Sequence, residues 1–254
     1  MTDEVLVERQ GGIQVITINR PRARNAIDAA VTAGMAAALD RLDEDDSIAV
    51  GVLTGAGGTF CAGMDLKAFL RGEDVTLPGR GLAGMARRPP RKPVVAAVEG
   101  YALAGGFELV LACDLVVAAD TATFGLPEVR RGLVAASGGL LRLPRRLPYH
   151  LAMELALTGA PMTAETAHHH GLVNRLTAPG QALPVALDLA GTIAANGPLA
   201  VRASKRVISD GTGWSTSEGF DRQEEIIAPV LDSADAEEGA RAFTEKRSPR
   251  WRNS

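Results

Sequence analysis

The sequence predicts an α/β core of residues 1–195 followed by a helical C-terminal region of residues 196–254. Short apolar segments with strand-like patterns alternate with longer segments of helical periodicity over most of the chain. Hydrophobic residues make up 46% of the 254 residues, enough for a large core, whereas only 4% are aromatic. From about Leu183 onward the pattern is helical throughout, which separates the last part of the chain from the core.

The core is predicted to begin with a strand, a helix and a second strand. Residues 13–19 alternate apolar and polar side chains, as a half-buried strand does. Residues 28–45 have helical periodicity, with Asp28 placed to cap the N-terminus. Further apolar strands are predicted at residues 48–53, 94–98, 115–118 and 171–176.

The C-terminal region is predicted to consist of helices separated by short breaks. Residues 183–195 are followed by Asn196-Gly197-Pro198, a helix stop, and residues 199–209 form the next helix. Ser215 and Glu218 have the spacing of a capping box. A strongly charged helix is predicted at residues 232–247.

The net charge and the cysteines argue against a nucleic-acid-binding protein and against a disulfide-bonded one. The net charge of −3 argues against nucleic-acid binding. Cys61 and Cys113 lie in apolar or small-residue surroundings, which predicts reduced thiols and a cytoplasmic protein. The acidic N-terminal segment lacks the apolar stretch of a signal peptide, and no uncharged apolar stretch reaches the length of a membrane span.

Glu108 is the strongest candidate for a functional residue. Residues 93–119 are almost entirely apolar and small, and only Glu99, Glu108 and Asp114 are charged. Burial in such a run would raise the pKa of a carboxyl group toward neutrality, where it can give and take a proton. Gly105 and Gly106 precede it at a predicted helix start, where backbone N–H groups are exposed. A buried structural glutamate explains this run equally well.

Two other segments carry possible chemistry. Residues 55–67 form a glycine-rich stretch after a strand, but they lack the pattern of a phosphate-binding P-loop. Glu128 follows Pro127 and precedes a second glycine-rich stretch. Taken alone, the first segment is more typical of an ordinary turn, and Glu128 of a charge at a helix N-terminus.

Six segments together resemble the enoyl-CoA hydratase/isomerase (crotonase) superfamily over nearly the whole chain. They are RPRARNAID, FCAGMDL, KPVVAAVEGYALAGGFELVLACDLVVA, FGLPEVRRGL, AHHHGLVN and AFTEKR, in the family's order and spacing. The resemblance implies a spiral of ββα turns with a C-terminal helical region that assembles trimers, commonly paired into hexamers.

The resemblance also implies catalytic roles. The backbone N–H groups of Met64 and Gly105 would form an oxyanion hole for the thioester oxygen. Glu108 would act as base toward water, and Glu128 would give a proton to the α-carbon. Both glutamates are present, which favours hydration over the one-carboxylate chemistry of many isomerases and hydrolases in the family.

Coenzyme A contacts follow by the same resemblance. Arg24 would meet the phosphates, and Phe243 and Lys246 would reach the coenzyme A of a neighbouring subunit. The adenine and pantetheine portions would lie in a loop formed by Ala62, Asp65, Leu66 and Lys67. For Arg24, Lys67 and Lys246, an ordinary solvated surface charge remains the alternative.

The resulting expectation is a 2-enoyl-CoA hydratase that needs no metal or redox cofactor, with coenzyme A only as part of its substrate. The alternatives are an enoyl-CoA isomerase or another crotonase-type lyase, and a non-catalytic homologue that binds acyl-CoA or RNA. Ala135, Phe107 and Met64 depart from common family residues and leave the acyl-chain preference and the degradation pathway open. Residues 71–86 are glycine-rich and are a candidate mobile lid over the acyl pocket.

Overall fold

The computed structural model describes residues 4–254, which form one mixed α/β assembly of strands and helices. The strands are β1 (Val5–Gln10), β2 (Ile13–Ile18), β3 (Val50–Gly55), β4 (Thr76–Leu77), β5 (Gly81–Leu82), β6 (Val94–Val98), β7 (Tyr101–Leu103), β8 (Leu115–Ala119), β9 (Thr123–Gly125), β10 (Met162–Thr163) and β11 (Arg175–Thr177). The helices are α1 (Ala29–Glu44), α2 (Leu66–Leu70), α3 (Gly105–Ala112), α4 (Gly139–Arg146), α5 (Tyr149–Thr158), α6 (Ala164–His169), α7 (Ala182–Ala194), α8 (Pro198–Gly211), α9 (Thr216–Leu231) and α10 (Ala234–Thr244).

The main sheet has six strands in the order β1-β2-β3-β6-β8-β11. The pair β1 and β2 forms an antiparallel hairpin, and every later neighbour in this sheet pairs in parallel. Helices connect the parallel strands, because such strands need a long crossover between them. The predicted α/β class is therefore confirmed.

A smaller sheet gives the fold its repeating ββα turns. Strand β7 pairs in parallel with β9, and β9 pairs antiparallel with β10. Each of β6 and β8 continues into a strand of this second sheet and then into a helical segment. The link from β6 to β7 passes through Gly100 at φ +54°, where a Cβ atom would lie 2.5 Å from the Gly58 carbonyl oxygen. Glycine is therefore required at this bend.

Both faces of the main sheet are buried. Alternate residues such as Ile16 and Leu53 point into the larger core with α1 and α3. Their neighbours Val15 and Val52 point to the opposite face, where small alanines of α7 cover them. This burial explains why the central strands are almost continuously apolar in sequence.

The C-terminal helices pack less tightly on the core. Among the described residues, α8 and α9 contain no fully buried side chain. Lys205 of α8 bonds the Asp114 carboxylate at 2.6 Å and the Lys92 carbonyl oxygen at 2.9 Å. Trp251 donates to the Ala195 carbonyl oxygen at 2.8 Å. The predicted boundary between residues 1–195 and residues 196–254 stays a prediction.

Most predicted elements are confirmed within a few residues. Asp28 caps α1 by accepting from Val31 N–H at 2.9 Å, and Ser215 caps α9. The prediction of a strand over residues 171–176 was wrong at its start, because Gly171 (φ +78°) belongs to the turn after α6. Strand β11 begins only at Arg175. The edge strand β1 was not predicted.

The candidate lid, residues 71–86, is partly built into the core. It contains the hairpin of β4 and β5. Its second half is buried, with Leu82, Ala83, Met85 and Ala86 all in the larger hydrophobic core. The side chain of Leu82 lies against Gly105.

The described residues, 4–254, contain no single helix with the length and apolar composition of a membrane span. Helices α7 and α8 satisfy these two criteria only as a pair, and they meet at a bend of 108°.

Candidate active site

Two glycine-containing segments bring a pair of backbone N–H groups together. A Cβ atom on Gly63 (φ +100°) would lie 3.1 Å from the Gly105 nitrogen, and one on Gly105 would lie 3.6 Å from the Met64 nitrogen. Within residues 4–254, neither the Met64 N–H nor the Gly105 N–H donates a hydrogen bond. Two free donors at adjacent positions can bind one oxygen atom that becomes negatively charged.

The backbone around these donors is held in place by neighbouring strands. Cys61 N–H bonds the Tyr101 carbonyl oxygen at 2.9 Å, and Leu103 N–H bonds the Cys61 carbonyl oxygen at 3.0 Å. On the other side, Ile27 N–H bonds the Gly63 carbonyl oxygen at 2.8 Å. The loop is thereby fixed on both sides.

Ala104 adopts an unusual backbone conformation immediately before α3. Its φ of 51° and ψ of −128° are unfavourable for a residue with a Cβ atom. This turn aims the Gly105 N–H at Gly63. Gly106 then allows α3 to approach the loop, because a Cβ atom there would lie 2.2 Å from the Cys61 carbonyl oxygen. The two glycines therefore have different roles, one as donor and one as spacer.

Glu108 lies in the first turn of α3 and is only 2% exposed. Its Oε1 accepts hydrogen bonds from Ser137 N–H at 2.7 Å and Gly139 N–H at 2.9 Å. Burial raises the pKa of Glu108, while these two N–H groups and the nearby Arg142 cation act to lower it. The carboxyl group is therefore fixed in position and can act as a proton acceptor.

Glu128 has a different environment. It lies in the first turn of a 3-10 helix (Pro127–Arg131), just after β9. Its Oε2 is buried and has no hydrogen-bond partner within the described residues. Burial raises the pKa of Glu128. Its own backbone N–H acts to lower this pKa, and the negative charge of Glu108 acts to raise it. An unpartnered carboxyl oxygen with a raised pKa is suited to carry a proton and donate it.

The two carboxyl groups thus act on each other. Glu108 is held by two N–H groups from another segment, whereas Glu128 has only its own backbone N–H and a buried Oε2 without a partner. The negative charge of one group disfavours ionisation of the other, so the titrations of interacting carboxyl groups are coupled. Such a difference in environment is what allows one carboxyl group of a pair to serve as a base and the other as an acid. The structure places Met64, Gly105 and Glu108 at or beside the start of α3, with Glu128 near enough for the charge of Glu108 to act on it. Their catalytic roles stay predictions.

Five of the seven residues predicted to bind coenzyme A lie in or beside the loop that carries Met64. Arg24 is exposed in a left-handed conformation, and its carbonyl oxygen accepts from Ala62 N–H at 3.0 Å. Leu66 and Lys67 are exposed in the first turn of α2. Asp65 caps that helix by accepting from Lys67 N–H at 2.9 Å. The structure therefore brings together the segments of Arg24, Ala62, Leu66 and Lys67.

Asp65 is also engaged by a residue that sequence reasoning missed. Arg20 bonds Asp65 Oδ2 at 3.1 Å and Asp28 Oδ2 at 2.9 Å. Partial burial acts to raise the pKa of Asp65, but the N–H groups of Ala68 and Lys67 and the Arg20 guanidinium lower it below its usual value. The Asp65 carboxylate thus holds the loop in place, and its predicted contact with coenzyme A stays a prediction.

Phe243 and Lys246 lie at the end of α10. Phe243 is 87% exposed, and Lys246 has a left-handed backbone with φ 53°. Within residues 4–254, no hydrogen bond or ion pair joins either residue to the loop at Met64. Their predicted contact with a neighbour's coenzyme A stays a prediction.

Ser137, Gly139 and Arg142 were also missed. The pair Gly138-Gly139 followed by Arg142 was the available signal, since an i, i+4 spacing places the arginine beside the glycine turn. The described residues contain no cluster of three or more His, Cys, Asp or Glu side chains that could hold a metal ion. In the run of three histidines, His168 Nδ1 lies 2.8 Å from the Val173 carbonyl oxygen.

The spiral of ββα turns, the pair of free N–H groups and the two carboxyl groups define a CoA-thioester enzyme of the crotonase type. The chain belongs to the enoyl-CoA hydratase/isomerase family, whose model matches residues 8–254. The predicted crotonase-like fold class and family are confirmed.

Individual relatives cover the whole chain. The enoyl-CoA hydratase EchA19 of Mycobacterium tuberculosis is 43% identical, over 98% of this chain and 97% of its own. A carnitinyl-CoA dehydratase of Proteus mirabilis is 41% identical, over 99% of each chain. The crystal structure of the enoyl-CoA hydratase EchA1 of Mycobacterium marinum is 60% identical and has a TM-score of 0.97 over 99% of each chain.

Proposed function

We propose that the protein catalyses the reversible addition of water across the C2–C3 double bond of a 2-enoyl-CoA thioester, giving a 3-hydroxyacyl-CoA. One observation carries this proposal: two carboxyl groups, Glu108 and Glu128, share one site beside two free N–H groups. Addition of water needs one group to accept a proton and another to supply one. The two glutamates meet that requirement.

In the proposed reaction the thioester oxygen accepts hydrogen bonds from Met64 N–H and Gly105 N–H. Glu108 removes a proton from water while the water oxygen forms a bond to C3. The electrons of the double bond move toward the thioester, and the resulting enolate oxygen is stabilised by the two N–H groups. Glu128 then gives its proton to C2. The proton gained by Glu108 balances the one lost by Glu128, and dehydration is the same sequence reversed.

The proposed reaction requires neither a metal nor a redox cofactor. Hydration leaves the overall oxidation level of the substrate unchanged, and backbone donors supply the charge stabilisation that a metal would otherwise give. Coenzyme A takes part only as a portion of the substrate. We propose that Arg24 and the loop of Ala62, Asp65, Leu66 and Lys67 bind it, in a cytoplasmic enzyme that assembles as a homotrimer or a hexamer.

The names of the relatives support the same reaction class. One relative is named an enoyl-CoA hydratase and another a carnitinyl-CoA dehydratase. Hydration and dehydration are opposite directions of one equilibrium, so both names fit a site with one acid and one base.

Incubation of the purified protein with crotonyl-CoA in D₂O tests the proposal. Loss of the conjugated double bond is followed by absorbance, and the product is examined by mass spectrometry. We expect addition of one water and retention of one deuterium at C2. Longer and ring-bearing enoyl-CoAs in the same assay define the acyl preference. Migration of the double bond without addition of water would contradict the proposal and indicate an isomerase.

A further inference from the structure

Arg142 lies behind the turn that holds Glu108. It is in α4, and its side chain folds back over the N-terminus of that helix. A Cβ atom on Gly138 would lie 2.3 Å from Arg142 Nη1, so glycine at this position, with φ +95°, leaves the space that the guanidinium occupies. The flanking residues Ser137 and Gly139 donate the two N–H bonds to Glu108.

The position of Arg142 is electrostatically unfavourable by itself. It is half-buried, and within residues 4–254 its guanidinium makes no hydrogen bond and no ion pair. It lies near a helix N-terminus, where the helix dipole disfavours a cation, and Arg146 and Arg145 add positive charge from the same helix. A half-buried cation in this setting needs a negative charge nearby.

Glu108 supplies that charge. Burial and Arg146 lower the pKa of Arg142, whereas negative charge on Glu108 raises it. The interaction is reciprocal, since the Arg142 cation acts to lower the pKa of Glu108. The two side chains form no direct ion pair, so Arg142 acts on Glu108 through its electric field and through the Gly138 turn.

We infer that Arg142 is a positioning residue that favours the ionised form of Glu108 and supports the turn of Ser137, Gly138 and Gly139 against it. The expected effect of Arg142 on activity rests on the proposed hydration reaction. The expected effect of Arg142 on the ionisation of Glu108 does not depend on that reaction.

The other charged and titratable groups around this pair do not replace Arg142. Glu128, from the 3-10 helix after β9, adds negative charge to the site. Cys113, at the end of α3, is neutral because burial raises its pKa to about 12. Arg145 and Arg146 lie farther along α4 and act on Arg142. Removal of the Arg142 charge should therefore raise the pKa of Glu108, which burial already raises.

The test compares Arg142→Met, which removes the charge, with Arg142→Lys, which keeps it, and with Arg145→Met as a control on the same helix. For each variant kcat/KM for crotonyl-CoA hydration is measured from about pH 5 to about pH 9, after circular dichroism shows a folded protein. A base must be ionised, so we expect the acidic limb of the profile to move to higher pH in Arg142→Met. The ratio of activity at about pH 6 to that at about pH 8 should fall roughly three- to tenfold.

Arg142→Lys should restore most of the wild-type profile, and Arg145→Met should leave it unchanged. A uniform loss of activity at all pH values in Arg142→Met, or an unshifted profile, would overturn the inference and leave Arg142 a packing residue.

A second measurement does not depend on turnover. The side-chain carboxyl ¹³C signal of Glu108, assigned by its disappearance in Glu108→Gln, is titrated by NMR in wild type and in Arg142→Met. We expect the Glu108 signal to titrate at higher pH in Arg142→Met. An unchanged titration would overturn the inference even if the protein proved not to be a hydratase. If the Glu108 titration shifts in Arg142→Met but the protein has no hydration activity, the effect of Arg142 on Glu108 is supported and only the proposed function is rejected.

Discussion

Burial and hydrogen bonding act in opposite directions on the pKa of the Glu108 carboxyl group. Burial disfavours its ionised form, and two backbone N–H groups favour it. Glu128 has only its own backbone N–H as such a donor, and its buried Oε2 has no partner within residues 4–254. This difference between two chemically identical side chains supports the proposed roles of Glu108 as base and Glu128 as acid.

The oxyanion role of Gly105 predicts different outcomes for two substitutions. Either alanine or proline at this position would place a Cβ atom 2.5 Å from Leu82 Cδ2, a flexible side-chain end that can move. Only proline also removes the N–H donor, and proline is sterically tolerated in the first turn of a helix. We expect Gly105→Pro to lose hydration by about two to three orders of magnitude relative to Gly105→Ala. Circular dichroism serves as the folding control, and equal activity of the two variants would remove Gly105 from the oxyanion hole.

The raised pKa of Glu108 predicts that replacing this residue with glutamine stabilises the fold although it lowers activity. The pKa of Glu108 is higher in the folded than in the unfolded protein, so the folded state binds the proton more tightly. The free energy of unfolding of the wild type therefore increases as the pH falls through the folded-state pKa. Glutamine at position 108 stays neutral at every pH. We expect Glu108→Gln to melt at a higher temperature than wild type at neutral pH, with the difference shrinking as the pH is lowered. Melting temperatures measured across this range check it, and a lower melting temperature at neutral pH would contradict it.

At the residue scale, the sequence alone singles out Glu108 because a charge in a long apolar run is conspicuous. The glycines Gly105 and Gly106 pointed to exposed N–H groups beside Glu108, whereas Glu128 and Met64 acquired roles only through the family resemblance. Gly138-Gly139 and Arg142 signal a turn with a nearby cation, but local pattern could not show that the turn holds Glu108. The hydrogen bonds of Ser137 and Gly139 to Glu108 join residues 29 or more positions apart along the chain.

At the scale of elements, apolar patterns predicted the buried strands well because each is covered on both faces. Strand β1 was missed because its pattern, VLVERQ, is mostly exposed and charged in its second half. Strand β11 was predicted to start too early because Leu172 and Val173 are apolar, although they are buried in the turn after α6 rather than in the sheet. An apolar pattern in the sequence predicts that residues are buried. Whether buried residues form a strand depends on their backbone hydrogen bonds, which the pattern does not show.

The close contact between α3 and the loop at Cys61 predicts that alanine is destabilising at Gly106, in contrast to a helical glycine that has open space around it. Gly106→Ala would bring a Cβ atom to 2.2 Å from the Cys61 carbonyl oxygen, whereas Gly191→Ala in α7 meets nothing within 4 Å. We expect Gly106→Ala to lower the free energy of unfolding by about 2 kcal/mol or more. Gly191→Ala should raise it by about 0.5–1 kcal/mol, because alanine favours the helix. Urea denaturation at one protein concentration measures both, and a neutral Gly106→Ala would show that the close approach is not required.

At the scale of the whole molecule, the single chain leaves large apolar side chains of its C-terminal helices in solvent. Ile208, Phe220, Leu231 and Phe243 are each at least 70% exposed. Large apolar side chains exposed on helices that pack together, as α8 does on α9 and α9 on α10, are typical of protein interfaces. This exposure supports the proposed self-association, in which α10 of one subunit reaches the site of another.

Truncation after residue 195 should therefore cost both assembly and affinity for coenzyme A thioesters. Light scattering on the full chain should give the mass of a trimer or a hexamer, and the truncated chain should lose that mass. Phe243→Ala in the full chain, which keeps the rest of the helix, should raise KM for crotonyl-CoA more than it lowers kcat. A stable, fully active monomer at micromolar concentration would contradict this arrangement and make Lys246 an ordinary surface charge.

The central claim is that two glutamates act on one water, and turnover of Glu128→Gln with crotonyl-CoA tests it most directly. Glu224→Gln, at an exposed position in α9, is the matched control and should retain wild-type activity. We expect Glu128→Gln, like Glu108→Gln, to lose hydration by about two to four orders of magnitude, the usual scale of general acid–base catalysis. Binding of the coenzyme A ester should persist, since neither carboxyl is proposed to hold coenzyme A. Turnover of Glu128→Gln near that of wild type would contradict the account and indicate a reaction that needs only one carboxyl group.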